Sequence, residues 1–176
     1  MAKSSKDDRR KDRGGRRERD PKEYDEHVLQ IARVTRVVKG GRRMRFRATV
    51  IIGNRKGRVG LGIGKSAEVQ GAVQKAVSDA KRHMINVPIV KDTIPHEVNY
   101  KFKAARIRLL PAMAGTGIIA GGALRPIFDL AGVKNVLSKR YGSSNIVVNA
   151  QTAMQALTKL RKPKEKVEEG GKEVRG

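Results

Sequence analysis

Apolar and polar residues alternate along this chain with two different periods. From Val28 to about Val38 the residues are mostly apolar, interrupted by Arg33 and Arg36, which reads as a strand. Lys39-Gly40-Gly41-Arg42 follows, a turn whose two glycines permit positive φ. In the next strand Met44, Phe46, Ala48 and Val50 fall on one face, and Arg43, Arg45, Arg47 and Thr49 on the other. Gly53 to Gly57 is a second turn, and a third strand runs from Arg58 to about Ile63. The period then becomes helical. Val69, Val73, Ala76, Val77, Ala80 and Met84 form one apolar stripe, with Ser66 as the expected N-cap, Glu68 in the first turn and Pro88 closing the element. The order strand, strand, strand, helix predicts a sheet with one helix on one face.

A second unit begins near Thr93. Val98, Tyr100 and Phe102 alternate with Glu97, Asn99, Lys101 and Lys103, and Ile107 and Leu109 alternate with Arg106 and Arg108. The Gly-rich stretch Ala114 to Gly122 leads into a short helix, with Pro126 in its first turn and Gly132 just past its end. Val133 to Tyr141 reads as a strand, and Ala150, Ala153, Met154, Leu157 and Leu160 mark a last helix. The expected class is α+β, with two units at 27–92 and 93–162, each small enough to have only a marginal core. Residues 1–26 and 163–176 lack apolar periodicity and are expected to be disordered.

Charge changes this picture most. Lys and Arg number 40 against 17 Asp and Glu among 176 residues, a net charge of +23. Such an excess implies a polyanionic partner or a strongly self-repelling surface. Hydrophobic residues make up 38%, enough to leave material for a core. The absence of Cys excludes disulfides, Cys zinc sites and thiol catalysis, and fits a reducing compartment. No apolar run reaches the ~20 residues of a membrane helix. Residues 1–20 are too polar for a secretory signal, and their acids argue against a transit peptide. The protein is therefore expected to be cytoplasmic, with no membrane partner.

The excess is concentrated. Residues 27–65 carry eleven basic side chains and no acid, whereas 66–100 is neutral. Segment 101–111 has four cations and no acid. Natural surfaces usually intersperse both signs. Period-two spacing sets Arg43, Arg45 and Arg47 about 6.8 Å apart on one side of a sheet. Guanidinium forks of this kind bond phosphate oxygens through two parallel N–H groups. The candidate nucleic-acid face comprises Lys39, Gly40, Gly41, Arg42, Arg43, Arg45, Arg47, Arg55, Lys56 and Arg58, joined by Lys65 and by Gly121 and Gly122. The competing reading is a solvated sheet face. Only Phe46 supplies a ring within 27–92, and it lies on the expected core face. Base stacking is therefore not expected, and recognition of folded, helical RNA by backbone and shape is. Lys56-Gly57-Arg58-Val59 starts like an RNP signature but lacks its ring.

Enzyme look-alikes fail or stay weak. Gly64-Lys65-Ser66 ends like a P-loop, but the first glycine is replaced by Val59. Gly62 to Ala67 fits a loose dinucleotide fingerprint without a clear parallel βαβ unit. His96-Glu97 begins a zincin motif, but Tyr100 stands where the second His must be. His27, His83 and His96 have no metal-binding spacing, and no cofactor is expected. The stretch 114–122 remains open between a cradle for nucleotide phosphates, a contact with RNA or a protein, and a flexible turn.

Several strings carry a resemblance. Asn54 to Ala76, Val38 to Arg42, and above all Gly115-Thr116-Gly117-Ile118-Ile119-Ala120-Gly121-Gly122 with Ala131 to Leu137 resemble the bacterial ribosomal protein S-five family, over about 27–160. The resemblance implies a double-stranded-RNA-binding-like β-β-β-α domain. It implies a C-terminal two-layer α/β domain with a left-handed crossover, the second-domain fold of that family. It implies binding to small-subunit rRNA, contact with ribosomal proteins S-four and S-eight, a place near the channel by which mRNA enters the 30S subunit, and support of decoding accuracy. The Val38–Arg42 turn matches the family loop associated with spectinomycin sensitivity. Arg106 matches a residue at the S-four contact, and Lys101, Lys103, Arg106 and Arg108 are the expected protein-contact surface, with RNA as the alternative partner. The chain departs from the family at Val148, where Asn is usual, and at Pro126, which replaces a helix former. Three functions follow for comparison: a non-catalytic ribosomal constituent, a small-molecule kinase using Gly115–Gly122 with Asp129 as the nearby carboxylate, and a free RNA chaperone.

Overall fold

A computed structural model describes residues 23–161. The expectations for 1–22 and 163–176 lie outside the described residues. The first sheet is an antiparallel meander of β1 (Asp25–Val38), β2 (Gly41–Gly53), β3 (Arg58–Ser66) and β4 (Met84–Asn86), with α1 (Val69–Arg82) between β3 and β4. β1 starts at Asp25, so two residues assigned by sequence to the extension are the first rungs of the sheet, opposite Gly53 and Ile52. The second sheet has the order β5-β6-β8-β7, from β5 (Val98–Phe102), β6 (Ala105–Pro111), β7 (Ile118–Ile119) and β8 (Val136–Tyr141). β7 and β8 are parallel and joined through α2 (Leu124–Ala131), and α3 (Ile146–Thr158) follows.

Small residues seat α1 on the first sheet. Ala72, Ala76 and Ala80 are fully buried against Ala48, Val50 and Ile52. Opposite them β3 offers Gly60, Gly62 and Gly64. A Cβ built on Gly62 would lie 2.0 Å from the Ala76 carbonyl oxygen, and one on Gly64 2.2 Å from that of Ala72. The glycines of the dinucleotide-like string therefore face a helix backbone and leave no room for a ligand.

The helix differs from expectation at both ends. Ser66 remains in β3, Glu68 occupies the cap position without a side-chain cap bond, and α1 ends at Arg82. Met84 continues the helical apolar spacing but sits in β4, paired with Gly60. An apolar residue at that spacing satisfies either element, and the free edge of β3 decides for the strand. Downstream, Pro126 stands in the first turn of α2 as expected. Gly132 ends that helix at φ +88, its N–H bonded to the carbonyls of Phe128 and Asp129. β8 begins at Val136 rather than Val133, because the N–H groups of Lys134 and Asn135 both donate to the Asp92 carbonyl. Asn145 caps α3, its Oδ1 accepting from the N–H groups of Val147 and Val148.

Apart from the small cluster under α1, the core is shared between the two halves. Ile51 and Val59 of the first sheet belong to one buried cluster with Leu124, Ile127, Phe128, Leu130 and Leu157. Burying a side chain such as Phe128 fully stabilises by about 1.5–3 kcal/mol, so this shared cluster joins the halves firmly. Main-chain bonds close the seam: Arg55 N–H to the Leu130 carbonyl at 2.9 Å and Gly57 N–H to that of Ala131 at 2.8 Å. No helix among the described residues is long and apolar enough to cross a membrane.

Candidate nucleic-acid interface

The β1–β2 hairpin outruns its sheet. The last residue of β3, Ser66, pairs with Phe46, so beyond the Arg33–Phe46 rung the two strands have no third neighbour. Residues 35–45 are all exposed in this arm. A two-stranded ribbon is marginal in water unless something packs on it. The turn at Lys39-Gly40 is followed by Gly41 at φ +147, a value open to glycine, with nothing within 4 Å of its would-be Cβ. The tip can thus approach a partner closely.

Register sets the cations of the arm together. Arg36 lies directly opposite Arg43, and Arg47 directly opposite Lys65, with Arg45 between them on the same face. Val34, Thr35, Arg36, Arg43, Arg45 and Lys65 line one open cleft. Like charges facing each other across strands destabilise a sheet. No acid lies within residues 27–65 to relieve them. A polyanion laid along this face removes the repulsion and bonds the guanidiniums at once. Arg36 was missed from sequence because it interrupts an apolar strand. The signal was available: a two-residue turn at 39–40 puts position 36 opposite position 43.

The remaining cations of the first half lie elsewhere. Arg55, Lys56 and Arg58 sit at the β2–β3 turn, past Gly53, which lies six residues along β2 from Arg47, or about 20 Å at ~3.4 Å per residue. The Asn54 Oδ1 shapes this turn by accepting from the N–H groups of Lys56 at 2.9 Å and Arg58 at 3.0 Å. Arg55 Nε meets Asp25 at 3.1 Å, with both side chains more than half exposed. Such a surface pair contributes about 1 kcal/mol or less. Sequence alone groups these residues with the arginine row as one candidate phosphate-binding set, with Arg55 and Lys56 in a turn and the row on a sheet face. The structure keeps only the distal half of that face open. Ile51 and Val59, nearer the turn, are covered by the second half.

On the second sheet Lys101 lies opposite Arg106, and Arg108 lies between Asn99 and Lys139. The inner face, with Ile107 and Leu109, is buried in the core, so these cations share the outer face. Arg106 Nε donates to Asn99 Oδ1 at 3.2 Å, and Arg108 meets Glu97 at 3.3 Å. Lys103, at the β5–β6 turn, holds its Nζ 5.3 Å from the Phe102 ring centroid.

The Gly-rich stretch divides in two. The N–H groups of Gly115 and Gly117 both donate to the buried Asn135 Oδ1 at 3.1 Å, and that of Thr116 to the Met113 carbonyl. These donors are committed within the protein, which removes the phosphate cradle a kinase would need there. Gly121 and Gly122 are exposed, and the Arg140 guanidinium lies 3.6–3.7 Å from their would-be Cβ atoms. No cluster of three or more His, Cys, Asp or Glu among the described residues could hold a metal ion.

Comparison with known proteins supplies independent information. The family model described as "Ribosomal protein S5, N-terminal domain" matches residues 24–88, and "Ribosomal protein S5, C-terminal domain" matches 100–170. The "Small ribosomal subunit protein uS5" of Synechococcus elongatus is 53% identical over 140 residues, 79% of this chain and 78% of the relative. That of Thermosynechococcus vestitus is 51% identical over 148 residues, 84% and 85% of the two chains. The "Small ribosomal subunit protein uS5c" of Rhodomonas salina is 53% identical over 140 residues, 79% and 83%.

Proposed function

The chain belongs to the ribosomal protein S5 family, and from that premise we propose that it is a non-catalytic structural constituent of the cytoplasmic small ribosomal subunit, bound to small-subunit rRNA. The observation that carries this reading is the protruding β1–β2 arm, with like-charged rungs Arg36–Arg43 and Arg47–Lys65 and no acid within residues 27–65. Lys39, Gly40, Gly41, Arg42, Arg43, Arg45, Arg47 and Lys65 hold phosphates of one RNA helix. Arg55, Lys56 and Arg58, and Gly121 with Gly122, are the further RNA contacts.

The finer assignments rest on the family and on local geometry. The first half takes the double-stranded-RNA-binding-like fold, with β4 added to its β-β-β-α order. The left-handed crossover belongs at β7–α2–β8, the parallel pair of the second sheet. Lys101, Lys103, Arg106 and Arg108 contact the S-four protein, with S-eight a second protein neighbour. The chain lies near the channel by which mRNA enters and supports decoding accuracy. Domain limits near 92/93 and at 162 are part of the same proposal, with the first unit starting at Asp25, where β1 begins, rather than at 27.

Salt dependence tests the core of the reading. If six to ten phosphates are neutralised, affinity for rRNA falls roughly 10³–10⁵-fold between 50 and 200 mM salt. A flat response would sink it. Co-sedimentation with 30S particles after a high-salt wash separates a stable constituent from a free RNA chaperone, which washes off.

A further inference from the structure

The β1–β2 arm has a second face and a free edge. Residues directly opposite each other in a hairpin share a face. Arg33, Thr35 and Val37 therefore lie with Phe46, Met44 and Arg42, on the side that holds Ile31 and the buried Ala48. This is the side covered by α1. The cover ends at Phe46, which still packs on the cluster of Ala72, Ala76 and Ala80. Past it Met44 is 53% exposed and Val37 72%, and Ile31 at the margin is 47% exposed. The arm is thus a ribbon with cations on one face and an apolar strip, interrupted by Arg33 and Arg42, on the other.

β1 is the edge strand of its sheet. From Gln30 to Val38 its register with β2 is unbroken, and the irregularity between Val28 and Gln30 lies at the end of that run. Alternate residues of an edge strand leave their N–H and C=O groups unpaired, which is a template for a further strand. Residues 35–38 are all exposed, so nothing among the described residues covers the distal edge. Arg33 and Arg36 stand on this edge and pair with no carboxylate among the described residues. A second copy of the chain is a poor occupant. Pairing two such edges sets arginine against arginine on molecules of net charge +23 each. A strand of the opposite sign relieves the same repulsion.

We infer that the β1 edge, over residues 30–38, takes an extended segment of an acidic protein partner, with acidic and apolar residues in alternation, which joins the sheet as an added strand. Its main chain completes the unpaired rungs of β1. Acidic side chains on one face meet Arg36 directly. They also reach over the small Ala32 and Val34 toward Arg47 and Arg45, which stand opposite these two on β2, two strand spacings or about 10 Å from the added strand. Apolar side chains on the other face widen the strip of Ile31, Val37 and Met44. RNA phosphates match the cationic face alone, whereas such a segment matches both faces and the edge. The inference does not rest on the rRNA-binding reading, because the edge is a separate surface from the cationic face.

The test uses the full chain and a fluorescent peptide of about eight residues, long enough to span 31–38, in which Val and Glu alternate. At ~150 mM salt, where attraction between exposed charges is screened beyond about 8 Å, saturable binding is expected. Amide exchange should slow at every second residue of 31–37 and stay unchanged in β5 and β6. Two control peptides are N-methylated, one on every Val and one on every Glu. They carry identical charge, and only one set of nitrogens faces β1. One control is expected to bind and the other to bind about tenfold or more weakly, the loss of several ladder bonds. The Arg33→Glu/Arg36→Glu variant, its fold checked by circular dichroism, should lose about tenfold or more of the preference for this peptide over one alternating Val and Lys. Absence of binding, equal affinity of the two methylated peptides, slowed exchange in β5 and β6 instead of β1, or an unchanged preference in the variant overturns the inference. Binding of rRNA by the same preparation is measured separately and stands or falls by itself.

Discussion

Replacing Gly62 by Ala tests how α1 is seated. The added Cβ would lie 2.0 Å from the Ala76 carbonyl oxygen, 2.4 Å from the Ala80 nitrogen and 2.9 Å from the Ala80 Cα. Ordinary contact begins about 1.4 Å further out, and all three obstacles are main chain. The helix must therefore retreat or tilt as a body. A gap of only 0.5–1 Å already forfeits a quarter to a half of each dispersion contact, and the contacts at stake are those of Ala72, Ala76 and Ala80 with Ala48, Val50 and Ile52. The expected loss is roughly 3 kcal/mol, the upper end of overpacking costs. Gly71→Ala is the matched control on the same helix. Its Cβ would meet only the Ser66 side chain, the Cβ at an ordinary 3.5 Å and the Oγ at 2.9 Å, a hydroxyl that can rotate away, and it gains up to about 1 kcal/mol of helix propensity. Urea titration of both variants, read as midpoint shifts at constant slope, measures the two. Adding Ala76→Gly to Gly62→Ala is expected to give no rescue, because the obstructing atom is a carbonyl oxygen. Stability of Gly62→Ala within ~0.5 kcal/mol of wild type, a typical surface-substitution effect, would refute the account of this seam.

Other outcomes follow from the same geometry. Arg36→Glu should pair with Arg43 and stiffen the isolated arm, slowing amide exchange at 34–45 while weakening RNA binding; faster exchange together with tighter binding contradicts the cationic-ribbon account. Asn135→Ala leaves the N–H groups of Gly115 and Gly117 without their acceptor, and should cost about 1–3 kcal/mol for each donor that stays buried. Hydrogen exchange at these two amides reports the release. Asn145→Ala should cost about 1 kcal/mol through the lost cap of α3, and Asn145→Ser should recover most of it; equal losses in a thermal melt would mean that the loss does not come from the capping oxygen.

Local periodicity made most of the elements legible. Alternation at 43–50 located β2, the Lys39–Gly41 turn located the hairpin, and Gly132 located the end of α2. The misses share one cause, which is pairing that no local pattern encodes. Met84 obeys the helical spacing, yet the open edge of β3 takes it as a strand residue. Ser66 has the chemistry of a cap, yet its rung with Phe46 holds it in the sheet. The candidate site suffered in the same way. Arg43, Arg45, Arg47, Arg55 and Arg58 group as one candidate set because sequence shows which side a residue takes and not what covers that side. Tertiary packing of Ile51 and Val59 beneath Phe128 and Leu130 splits the set in two. The glycines at 60–64 posed the same difficulty, since their use depends on a helix that arrives later in the chain.

The shared cluster also sets a timetable for synthesis. Val59 leaves the peptidyl-transferase centre ninety-eight residues before Leu157, its companion in the same buried cluster. At about 5–20 residues per second this is an interval of roughly 5–20 s. Throughout it the nascent first half carries a bare apolar seat beside its basic arm. A growing chain in that state is a natural client for chaperones stationed at the exit tunnel, and its vulnerability ends only when the closing helix emerges.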